Sequence, residues 1–199
     1  MEIDTRLQQI SETFKQQLAI IGGVVLLMWG IELVDWLIFR GSLDALGIRP
    51  RTLAGLWGIP LAPLLHGSFQ HLAANTVPFI VLGWLILSTR HLQNFLNISG
   101  IIVLVSGLGT WMIGPSRSVH LGASGLIFGY LGFLLLVGYF ERSAKSVVLA
   151  IIVFFLYGSL IWGVLPIVDG VSWQAHLFGF IGGIIAAYFT GRQLNGIHV

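Results

Sequence analysis

The sequence predicts an all-α membrane protein, a bundle of six spanning helices, and three observations predict it. First, 56% of the 199 residues are hydrophobic and only 9% charged, against about 25% charged in an ordinary soluble domain. The mean hydropathy is +0.90. A chain this short has too little interior to hide so much apolar surface from water, so lipid must solvate most of it. Second, the few charges separate long uncharged stretches at 16–31, 52–89, 91–116, 118–140, 146–168 and 170–191. About 20 apolar residues suffice to cross a bilayer. Third, the informative polar residues gather at the starts of three of the helices these stretches make.

The N-terminal segment, residues 1–16, is polar and mixed in charge and lacks the basic-then-apolar order of a cleaved signal peptide. Leu7, Ile10, Phe14 and Leu18 recur there at helical spacing. A short amphipathic helix on the membrane surface and a disordered tail both fit this pattern. The bundle itself runs over 17–191, with spans near 17–39, 71–89, 95–113, 123–140, 146–165 and 173–191. Residues 40–70 read as a long irregular outer loop lying in the interface, because Pro60, Pro63 and Gly67 interrupt its apolar run. A short tail, 192–199, closes the chain.

Six spans put both termini on one side. That side carries Arg6, Lys15, Arg90, Arg142, Lys145 and Arg192, and the other Arg40, Arg49, Arg51 and Arg117. The positive-inside rule then places the termini in the cytoplasm, and the expected membrane is the inner membrane of a prokaryotic cell. Trp36, Trp57, Trp111, Trp162 and Trp173 fall toward the outer face, where an aromatic belt sits. A net charge of +2 with no basic run excludes nucleic acid as a partner, and the absence of cysteine excludes disulfides and thiolate metal sites. The lipid bilayer is the one partner that composition implies.

Three motifs carry the chemistry. His66, His71 and Asn75 form H-x-x-x-x-H-x-x-x-N running into span two. Gly122, Ala123, Ser124 and Gly125 open span four. Ala175, His176, Gly179 and Gly183 form A-H-x-x-G-x-x-x-G at the start of span six. Even-numbered spans all run from outside to inside, so these three N-terminal ends share one membrane face. Serine becomes a nucleophile when a base removes its proton, and histidine is the usual base. A neutral His176 in an apolar bundle is ready to accept that proton. The first turn of a helix offers unpaired N–H groups to Ser124, which suit an oxyanion. His71 and Asn75, four apart, share a helix face and add side-chain donors. His66 precedes that helix and either orders the loop or assists the same donors. Gly125, Gly129 and Gly132 on span four, and Gly179 and Gly183 on span six, let the two backbones approach closely in lipid.

In these residues the chain resembles the rhomboid family of intramembrane proteases over nearly its whole length. The resemblance implies that Ser124 and His176 form a catalytic dyad with no acidic third member. His71 and Asn75, with Ser124, would line the oxyanion hole, and His66, Gly122, Gly125, Phe128 and Gly179 would support the site. It implies hydrolysis of peptide bonds in or near transmembrane helices of other membrane proteins, with no metal or cofactor. Two departures bear on substrate preference and rate. Many bacterial members carry a Trp-Arg pair in the first loop, where this chain offers Arg49-Pro50-Arg51-Thr52. A tyrosine that stacks on the histidine is replaced by Phe128, which keeps the ring and loses the hydroxyl.

Other polar residues are not recruited. Asp169 suits a helix-start or solvent-facing role better than a triad. Glu32 and Asp35 suit loop anchoring or snorkelling, and His120 lines the cavity side of the serine loop. His91 and His198 have no visible task. A non-catalytic client-binding relative and a histidine-lined transporter are the rival classes. The first usually lacks the serine or the histidine, and the second usually shows inverted repeats, which are absent here. No H-E-x-x-H points to a zinc protease.

Overall fold

The computed structural model describes residues 2–167 and 170–194 and is helical almost throughout. Helix α1 spans Glu2–Val34 and continues through a widened turn at Asp35–Phe39. Then come a tight turn at Ser42–Leu46, α2 (Leu53–Leu61) and a second tight turn at Ala62–Leu64. Helices α3 (Phe69–Thr89), α4 (Leu92–Ile113) and α5 (Ser124–Glu141) follow. The chain closes with α6 (Ala144–Tyr157), its tight extension Gly158–Val164, and α7 (Trp173–Leu194). Asp169, His198 and the end of the 192–199 tail lie outside the described residues.

Among the described residues, five helices are long and apolar enough to cross a membrane: Arg6–Phe39, Phe69–Thr89, Leu92–Ile113, Ser124–Glu141 and Ala144–Val164. α7 has 22 residues, about 33 Å at 1.5 Å per residue, which is the length of a crossing. It is less apolar than the others because Gln174 and His176 sit in its opening turns.

Two expectations change. Residues 1–16 are neither a separate surface helix nor a loose tail: the helix is continuous from Glu2 into the first span. Nothing between Glu2 and Val34 breaks it, and an existing helix lengthens without a new nucleation cost. Gln17 anchors it, giving Nε2–H to Leu87 O at 3.2 Å and accepting from Trp84 Nε1 at 3.1 Å.

Residues 40–70 are not irregular either. Thr52 Oγ1 accepts the Gly55 N–H at 3.0 Å and starts α2, as a threonine at a helix start can. Pro60 lies one residue before the helix ends, so it forfeits a single backbone bond. α2 folds back on the strand-like stretch before it, where Ile48 and His120 exchange both backbone bonds, at 2.8 and 2.9 Å. Arg51 donates to Met112 O at 2.9 Å and to Ser116 Oγ, while Trp111 Nε1 donates to Thr52 O at 2.8 Å. The Arg49–Thr52 run therefore ties the first loop to the end of α4.

α5 is the axis of the bundle and the most buried of the apolar spans. Its largest interface is with α7, and α4 covers the other side of α7. A methyl on Gly179 would overlap the Gly125 carbonyl oxygen, and one on Gly183 would overlap that of Gly129. These two glycines bring the backbones into contact without any side chain between them. α6 is the least buried span and packs mainly on α5.

Candidate active site

Ser68 starts α3 by accepting the His71 N–H at 3.2 Å, which fixes the register that puts His71 and Asn75 on one face. Gly122 turns the chain toward that face with φ +112°. A methyl there would lie 2.6 Å from His71 Cε1 and 3.6 Å from Asn75 Nδ2. Only glycine suits both the backbone angle and the space. The first and second motifs therefore meet.

The loop that delivers Ser124 is pinned from both sides. Gly122 N–H donates to Ala62 O at 2.8 Å, and Ala123 N–H donates to His66 Nε2 at 3.3 Å. His66 is 2% exposed and packs edge-on to His71 at 5.2 Å. Burial, with a smaller push from neighbouring His71, lowers its pKa to about 4, so it stays the neutral acceptor this bond needs. Sequence reasoning left its role open between ordering the loop and assisting the donors; the bond is to the loop.

Ser124 is half-buried at the first position of α5. Ile127 N–H bonds back to Ala123 O at 3.0 Å, so the amides of residues 124–126 precede this intrahelical bond. Asn75 is 6% exposed, and its Nδ2 has no hydrogen-bond partner. A buried amide donor left unpaired costs free energy unless something accepts from it, so its place beside the Gly122 turn calls for a functional account.

The third motif reaches the second through the helix contact. His176, 7% exposed, donates from Nδ1 to Gly163 O at 2.8 Å. A carbonyl can only accept, so Nδ1 carries the proton and Nε2 keeps its lone pair. Phe128, one turn after Ser124, stacks on the imidazole with centroids 4.1 Å apart and planes 6° from parallel. No hydrogen bond joins Ser124 to His176; the recorded ring bond is the one to Gly163. Resting catalytic pairs are often loose and tighten in the substrate complex.

Residues that the motifs do not contain complete the surroundings. Ser106 Oγ on α4 donates to Ala175 O at 2.9 Å. His120 contacts Ser118 and Ser172. A small cavity lies between them, lined by Ser106, His120, Gly122, Gly125 and Ala175. Asp35, 4% exposed, accepts from Leu43 N at 3.0 Å and so anchors the loop after α1, away from this cavity. Among the described residues, no three acidic or histidine side chains are grouped to hold a metal ion.

Known proteins resemble this chain across the region that carries the site. The Rhomboid domain family matches residues 54–193, a region that holds all three motifs. The uncharacterized protein Rv1337 of Mycobacterium tuberculosis is 44% identical over 192 residues, covering 89% of this chain and 79% of its own. The uncharacterized protein ML1171 of Mycobacterium leprae is 42% identical over 191 residues, 89% of this chain and 75% of its own. YdcA of Bacillus subtilis, named as a candidate rhomboid protease, is 24% identical over 184 residues, 85% of this chain and 89% of its own. With the matched region running from α2 into α7 and apolar spans throughout, this multi-pass membrane protein belongs to the rhomboid family.

Proposed function

We propose that the protein is an intramembrane serine endopeptidase whose nucleophile is Ser124 and whose general base is His176. The observation that carries this reading is the orientation of His176: Gly163 O accepts its Nδ1–H and Phe128 holds its ring, leaving Nε2 as the basic atom on the helix packed against α5. In the first step Ser124 Oγ bonds to a substrate carbonyl carbon and its proton passes to Nε2. The carbonyl oxygen becomes an oxyanion, met by the free amides at the start of α5, by Asn75 Nδ2 and by His71. Collapse of this intermediate expels the amine, which takes the proton from Nε2. Water then attacks the ester, again through His176, and frees Ser124.

The substrates of this reading are transmembrane helices of other membrane proteins, cut where they unwind near the face that holds the three motifs. The excess of Lys and Arg at one set of helix ends supports termini in the cytoplasm and a site open to the outer side. Labelling by a fluorophosphonate probe is the test. The wild type should label at Ser124, and Ser124→Ala and His176→Ala should not. Equal labelling of wild type and Ser124→Ala defeats the reading and leaves client binding without cleavage in its place.

A further inference from the structure

His120 lies in none of the three motifs, yet it joins the first loop, the serine loop and the residue before α7. Its backbone is bonded on both sides to Ile48 of the first loop, at 2.8 and 2.9 Å. Its ring is 7% exposed, and a methyl on Gly114 would come within 2.8 Å of Nε2, so the ring is closely enclosed. Nε2 lies 2.7 Å from Ser118 Oγ and Nδ1 lies 2.6 Å from Ser172 Oγ.

The proton directions in this chain follow from donors and acceptors. Ser118 has one hydroxyl proton and gives it to Pro115 O at 2.7 Å. Toward His120 it can therefore only accept, so Nε2 carries the imidazole proton. Nδ1 of the neutral ring is then an acceptor, and Ser172 Oγ–H donates to it. Burial lowers the His120 pKa, in keeping with a neutral ring. Ser172 stands immediately before α7, and its carbonyl accepts the backbone N–H of His176 at 3.2 Å. The path from the serine loop to the base thus has two bonds: the His120 ring to the Ser172 hydroxyl, and the Ser172 carbonyl to the His176 amide.

We propose that His120 is a positioning residue that sets the start of α7, and with it His176, relative to the loop carrying Ser124. The inference rests on the Ser124–His176 reading, and deepens it by naming what holds the two halves in register. The Gly179–Gly125 contact fixes how close α5 and α7 lie. The Ser106–Ala175 bond ties the first turn of α7 to α4, whereas the His120–Ser172 bond ties the residue before that turn to the serine loop.

The variants separate the two ring bonds. An asparagine at 120 places its amide oxygen where Nδ1 was and keeps the Ser172 bond, whereas a glutamine reaches the Nε2 position and keeps the Ser118 bond. Fluorophosphonate labelling of wild type against Ser124→Ala comes first, since its failure removes the protease reading itself. Given labelling, His120→Asn should stay within about threefold of wild type. His120→Gln and Ser172→Ala should each lose about tenfold or more in the maximal labelling rate, because sub-ångström misplacement of a catalytic group is costly. The probe concentration at half-maximal rate and the melting temperature should hardly move. The double variant His120→Gln/Ser172→Ala should lose no more than either single one, since both remove the same bond. Labelling of Ser172→Ala at the wild-type rate, equal losses for His120→Asn and His120→Gln, or additive losses in the double variant overturns the proposal. Should His120→Gln fail to fold, Ser172→Ala, which removes one hydroxyl, decides it alone.

Discussion

Asn75 and Phe128 allow the sharpest residue-level predictions. On the proposed reading Asn75→Ala removes one oxyanion donor and should lower kcat by about 100-fold to about 1,000-fold with KM little changed, measured by cleavage of a single-span substrate. Phe128→Tyr should retain full activity. Phe128→Ala should lose about fivefold, since an aromatic stack is worth about 1 kcal/mol and each 1.36 kcal/mol is about a factor of ten. His66 predicts a pH effect on stability. Its folded-state pKa is about 4 against an ordinary value of 6.5. Between those values the unfolded chain binds more protons than the folded one. Its contribution is therefore complete above pH 6.5, falls as the pH drops, and is gone below pH 4. Melting temperatures from pH 8 to pH 4 should decline across this window, and His66→Gln should flatten the slope. Ser124, His176, His71 and Asn75 were legible as candidates because the motifs that hold them have fixed spacings. Ser106, Gly163 and Ser172 were not, because each acts as a partner only through the helix that happens to pack beside it.

Among the elements, the long apolar stretches announced the helices well, since lipid forbids unpaired backbone and leaves helix as the simplest answer. The short helix α2 is masked in the sequence by Pro60 and Pro63, which read as breakers, although Pro60 stands where a helix can end. The glycine faces of α5 and α7 were legible as a close approach, and the structure adds which carbonyls they meet. Gly183→Ala tests this contact, because the added methyl must push α7 away from the Gly129 carbonyl. A loss of about 1–3 kcal/mol is expected from overpacking. It should appear as a lower melting temperature in detergent and a slower probe reaction together.

Across the whole molecule, the end of the bundle remote from the site is held by a buried ion pair. Arg90, just past α3, meets Glu141, the last residue of α5, at 2.6 Å, with side chains 12% and 5% exposed. Ser146 Oγ at the start of α6 donates to the same carboxylate at 3.1 Å, and the guanidinium lies 5.8 Å from the Phe133 ring centre. Three helices are therefore gathered at one buried charge. Removing one partner leaves the other stranded, so Glu141→Ala should destabilise by about 3 kcal/mol or more, read by thermal or denaturant unfolding in micelles. The restored pair in Arg90→Glu/Glu141→Arg should recover part of that loss.

The bond from His176 to Gly163 has a consequence for how such a protein can be dissected. The acceptor is main chain, so no side-chain truncation removes it, and an alanine at Gly163 would report instead the methyl it sets 2.6 Å from Phe128 Cζ and 3.3 Å from His176 Nδ1. Only chemistry that edits the peptide link itself, such as an ester in place of the amide after Gly163, would weaken that oxygen and make the silent partner visible.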